Sequence, residues 1–74
     1  MFKTHDTVVL TRDLAGQDLK AGDVGAVVHL YADGKAFEVE FVSLKGETLA
    51  LLTLEADAIR PIEAREIAHV RRVA

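Results

Sequence analysis

Residues 19–42 read LKAGDVGAVVHLYADGKAFEVEFV, and this stretch decides the architecture. Its last seven residues alternate without a break. Phe37, Val39 and Phe41 fall on one side of an extended chain, and Glu38 and Glu40 on the other. Successive side chains of a strand point to opposite faces, so this rhythm marks a strand with one buried face. Val24–Tyr31 gives the strand before it, with Val24, Ala26, Val28 and Leu30 on one face. Gly25, Val27, His29 and Tyr31 share the other, and Val28 is expected to join Phe37, Val39 and Phe41 inside. Between the two strands lies Asp33-Gly34, a strong hairpin signal because both residue types tolerate positive φ.

The glycines at the start of the stretch invite a second reading, a loop that cradles phosphate. Such a loop needs backbone N–H groups converging at a helix N-terminus. Here the glycines precede a β pattern, and neither GxGxxG nor GxxxxGK[ST] is present. Gly22 and Asp23 instead form a turn into the strand. Gly25 supplies a missing side chain where the sheet bends or another strand comes close.

Working outward, Thr7–Thr11 is a short β-branched run and reads as a first strand. The thirteen residues TRDLAGQDLKAGD that follow form a long polar loop, with Leu14 and Leu19 expected to fold back onto the core. Beyond Val42, Lys45-Gly46 makes a turn and Thr48–Leu54 a fourth strand. That strand, TLALLTL, is apolar on both faces and therefore asks for a cover on each. Residues 54–58 suit a single helical turn, and Ile59–Pro61 a closing strand at an edge, where proline is tolerated. The fold class is all-β, a small five-stranded antiparallel barrel over residues 1–61.

Residues 62–74 form a C-terminal arm that packs on the barrel or on a partner. Ile67, Val70 and Ala74 fit a helical stripe, whereas Ile67, His69, Arg71 and Val73 share one face of a strand. The extension is thus a short strand or a helix, and the reading leans to a strand or extended arm over 66–72.

Half of the 74 residues are hydrophobic but only Phe2, Tyr31, Phe37 and Phe41 are aromatic, so the core must be mainly aliphatic. Without cysteine there are no disulfides and no thiolate metal sites to supplement it. The cysteine-free composition fits a cytoplasmic protein. No signal peptide is expected, and no apolar run approaches the roughly 18 residues of a membrane span. Residues 1–54 carry five basic and eight acidic side chains, and residues 55–74 four of each, giving the net charge of −3. An acidic body repels a phosphate backbone, so nucleic acid is an unfavoured partner.

No catalytic set emerges. His5, His29 and His69 lack metal-ligand spacing, and Glu38 and Glu40 read as the wet face of their strand. Asp13, Asp18 and Asp23 lack the alternation of a calcium loop. Ser43 is the only serine. The expectation is a non-enzyme with no cofactor. The arm is the most informative element, because EIAHVRRV mixes apolar residues with adjacent arginines, and arginine is favoured at interface anchors. The candidate partner-binding residues are Tyr31, Arg65, Ile67, His69, Arg71 and Arg72; Gly22, Asp23, Gly25, Asp33, Gly34 and Gly46 are structural turn residues.

The order HDTVVL, loop, LKAGDVGAVV resembles the glycine-centred half-barrel of KOW and other SH3-like domains. More narrowly, DTVVLTRDL, LKAGDVGAVVHLYADGKAFEVEF, GETLALLTL and IRPIEAREIAHVR resemble the small bacterial family grouped as domain of unknown function 4926. That resemblance implies an SH3-like barrel and brings no activity or site residues with it. The leading functional expectation is a protein-interaction module: a small accessory or neutralising protein, antitoxin-like in one form, with an unidentified protein or a second copy as partner. KOW-like nucleic-acid or ribosome binding is the alternative, and a small subunit of an electron-transfer complex, by fold analogy, a third.

Overall fold

The alternating run at 36–42 becomes the third strand of a single five-stranded sheet in a computed structural model that describes residues 2–73. In chain order the strands are β1 (Thr7–Leu10), β2 (Val24–Leu30), β3 (Ala36–Val42), β4 (Thr48–Glu55) and β5 (Ile59–Pro61). A single 3-10 turn, Ala56–Ala58, joins the last two. The order across the sheet is β4-β3-β2-β1-β5, and every neighbouring pair is antiparallel. Leu54 of β4 and Ile59 of β5, from the two ends of that order, share one core with Val8, Leu10, Val27, Phe37, Val39 and Phe41. One sheet can enclose such a core only by curling round it. The fold is therefore all-β and compatible with the small barrel expected from the sequence.

Inside, Phe37 packs edge-to-face on Phe2 with ring centroids 5.3 Å apart. The long β1–β2 loop contributes buried Leu19, held by a Leu14 N–H to Leu19 O bond of 2.9 Å. Both leucines thus turn inward as expected, Leu14 packing against the core from the side.

Two details differ from the sequence reading. Val27, not Val28, enters the core; Val28 is 36% exposed. The β2–β3 register runs Val27↔Val39 and then His29↔Glu38, so Val28 is an extra residue in a bulge. The bulge resets the alternation, placing Gly25 and Val27 inward before it. The second correction concerns the extension, read as a short strand or helix. Among the described residues, 62–73 contain neither; the chain is irregular, with one turn closed by a Glu66 N–H to Glu63 O bond of 3.2 Å. Ala74, part of the proposed helical stripe, lies outside the described residues.

The turns follow their residue types. Gly22 takes φ +94 and donates its N–H to Leu10 O at 2.9 Å, closing the loop onto the end of β1. Asp23 accepts the Lys20 N–H on Oδ2 at 2.8 Å. In the β2–β3 hairpin only Gly34 adopts positive φ; Asp33 acts through its side chain, accepting the Lys35 N–H at 2.9 Å. Gly46 closes the β3–β4 turn by donating to Ser43 O at 2.9 Å. No helix of the described residues is long and apolar enough to cross a membrane.

Candidate functional site

The arm is fixed at two points, both by arginine. At its root, Arg60 of β5 donates Nη1 to Glu66 Oε1 at 2.9 Å and Nη2 to Glu66 Oε2 at 2.5 Å. Glu66 Oε1 also accepts the Glu63 N–H at 2.7 Å, which tightens the turn. Near its end, Arg71 donates Nε to Asp23 Oδ1 at 2.9 Å, Nη2 to Asp23 Oδ2, and Nη2 to Asp18 O at 2.8 Å. A planar guanidinium suits this fork because it offers two parallel donors to one carboxylate.

The two grips straddle one row of the sheet. Arg60 is the register partner of Val9, and Val9 is the partner of Val24, next to Asp23. The arm is thus tied near both ends of this row, at Arg60 on β5 and at Asp23 just before β2. Val9 points away from Val8 and Leu10, yet it is only 5% exposed. Between the grips, Ile67 is 92% exposed and Val70 73%. Arg65, His69 and Arg72 are exposed beside them. Of the arm residues singled out from sequence, these face water, while Arg71 is turned inward onto the β1–β2 loop.

Tyr31 stands apart from the arm. Its hydroxyl donates to Glu38 Oε1 at 3.1 Å and its ring packs edge-to-face on His29 at 4.7 Å. Glu38 also accepts from Thr53 Oγ1 at 2.6 Å, and Glu40 from Thr48 Oγ1 at 2.6 Å. Both glutamates lie on the outer face of β3, where they tie β4 across the strand gap. His5, His29 and His69 belong to three separate segments, and no group of three or more potential metal ligands forms among the described residues.

The grips carry their own electrostatic signature. Arg60, helped by the Glu63 N–H, pulls the Glu66 carboxyl down to about 2. The hydrogen bond from Arg71 holds Asp23 below the usual carboxylate range, against an opposing contribution from partial burial. Both carboxyls have folded values below their unfolded ones. Their contribution to docking is complete above the unfolded range, about 4, and is lost as pH falls through the folded values. We expect the arm to stay docked from neutral pH to about 4 and to loosen progressively as the pH falls below that. Heteronuclear NOEs of residues 67–73 should fall over that window while those of β3 hold; arm NOEs that stay high at the acid end would contradict the assignment.

Sequence reasoning singled out Arg71 but missed its seat. Asp23 entered as a turn residue and as one of three loop aspartates weighed for a cation, and Arg60 and Glu66 were given no site role. The available signal was the coincidence of an acidic loop (Asp13, Asp18 and Asp23) with a basic chain end.

No curated protein and no solved structure gives a significant match. A family model does match, over residues 4–61, running from just before β1 to the end of β5 and leaving the arm outside it. With the whole sheet inside that match, the chain belongs to the family described as Domain of unknown function (DUF4926).

Proposed function

We propose that this chain is a non-catalytic protein-interaction module, a small accessory or neutralising protein of the cytoplasm that holds its target through the C-terminal arm. One observation carries the reading: an arm pinned by polar grips at both ends displays Ile67 and Val70 to solvent between them. Apolar side chains left exposed on an otherwise anchored segment contribute nothing to the chain's own core. They are suited to a partner. Pinning also removes much of the ordering cost that a loose tail would incur on binding. Arg65, His69 and Arg72 flank the pair and give the surface a basic edge on an acidic body. An antitoxin-like protein that neutralises an acidic target surface is one form of this reading.

The test is recovery of the tagged chain from its host, in parallel with an Ile67→Asp, Val70→Asp variant. A partner in constant ratio to the wild-type chain, and absent from the variant, is the expected outcome. A chain that emerges alone, or a partner retained equally by both, refutes the reading. Both substitutions are at exposed positions, so circular dichroism should be unchanged.

A further inference from the structure

The β1–β2 loop, residues 11–23, is held in different ways along its length. Its start is tied to the 3-10 turn, where the Thr11 N–H donates to Ala58 O at 2.9 Å. Its tip closes on itself through the bridge between Leu14 and Leu19. The remainder, 18–23, turns sharply, with Asp18 at φ +56 and Gly22 at φ +94. Left-handed backbone costs a non-glycine residue free energy and persists where its surroundings hold it. One hold on Asp18 comes from the chain end. Arg71 Nη2 donates to Asp18 O at 2.8 Å and also to Asp23 Oδ2, so a single guanidinium nitrogen bridges the two ends of the turn. Inside the turn, the Lys20 N–H donates to Asp23 Oδ2 at 2.8 Å and the Ala21 N–H to Asp13 Oδ1 at 2.9 Å. These two amides report whether the turn is closed.

The arm depends on the same contact. Arg60 and Glu66 lie six residues apart and fix only the arm's first turn. Beyond it Ile67 and Val70 are exposed, and no described arm residue joins the apolar cluster of the core. Arg71 supplies the hydrogen bonds that tie this stretch to the body. We propose that Arg71 clips the arm and the 18–23 turn into one unit, so that release of the chain end loosens the turn and loosening of the turn frees the chain end. Coupling of this kind acts equally in both directions. A partly exposed ion pair shifts an equilibrium by about fivefold, so the open form stays populated beside the closed one. The device is a strap: whatever lifts the arm, or competes for Asp23, changes both places together. It rests on contacts within the chain and holds whether or not the arm captures a partner.

The test reads each side of the clip after a change on the other. In Arg71→Ala the Lys20 and Ala21 amides should exchange about fivefold faster, the factor one partly exposed ion pair supplies, while β3 amides keep their wild-type rates. In Asp23→Asn the side-chain oxygen can still accept the Lys20 N–H, but the charge that seats Arg71 is gone. Heteronuclear NOEs of residues 67–73 should then fall to the values of Arg71→Ala, and the double variant should show no further fall. Sodium chloride at about 1 M, where the screening length is about 3 Å, should produce both changes in the wild-type chain. Loop amides at wild-type rates in Arg71→Ala, arm NOEs unchanged in Asp23→Asn, or an arm looser in the double variant than in Arg71→Ala each overturns the proposal. Failure to recover a partner from the host moves none of these readouts.

Discussion

Phe37→Ala is expected to leave the chain largely unfolded at room temperature. Phe37 is 1% exposed, and its register partners are Leu30 on β2 and Leu54 on β4. Phe2 packs on its ring edge-to-face, so truncation empties a volume walled from three sides. Removing a buried phenylalanine costs about 3–5 kcal/mol, the lost transfer energy plus the cavity left behind. A core of this size, with no disulfide or metal, supplies about 3–5 kcal/mol in total. The two figures are equal, so one substitution removes the margin. Phe37→Leu keeps most of the volume and should cost less than about 1.5 kcal/mol if the site repacks. Urea melts followed by circular dichroism separate the cases; an alanine variant with a cooperative transition near the wild-type midpoint would sink the claim.

Gly25→Ala should destabilise by about 1–3 kcal/mol through overpacking, and Gly25→Val by more. The reason is contact, not backbone conformation, since Gly25 is not among the positive-φ glycines. A Cβ built at this position would lie 2.8 Å from Val39 Cγ1, 2.9 Å from Phe41 Cε1 and 3.0 Å from Glu40 O. Val39 and Phe41 are buried and the third neighbour is backbone, so none can move aside cheaply. The entropy that alanine removes from the unfolded chain, about 0.4–1 kcal/mol, offsets only part of this. Chemical denaturation of the pair checks both sign and order. Equal or greater stability in the alanine variant would show that the β2–β3 packing yields more readily than these distances imply.

Gly25 was legible because glycine in a strand has few explanations, and close approach is one of them. The strands themselves were legible where charge marked the water side. Glu38 and Glu40 left no choice for Phe37, Val39 and Phe41. At Val27-Val28 no such marker exists. Both residues suit either face, and a bulge set by tertiary pairing decides which goes in. The arm failed as a strand for a related reason. Its apolar residues find neither a sheet edge nor the core, and polar grips take over, one of them joining residues 48 apart in sequence. Arg71 and Asp23 meet because β5 pairs beside β1 and the chain end returns to the β1–β2 loop. No local spacing encodes that encounter. The doubly apolar β4 was expected to be covered on both faces, but its outward Leu51 is 54% exposed, and nothing in its own residues said that the arm would turn the other way.

Pro61 has a reach beyond its own strand. Strand addition at that side is disfavoured, because the strand is only three residues long and a proline offers no N–H. A sheet with two permissive borders can propagate into ribbons; in the folded chain one of the two borders is blunted by Pro61, which works against that growth.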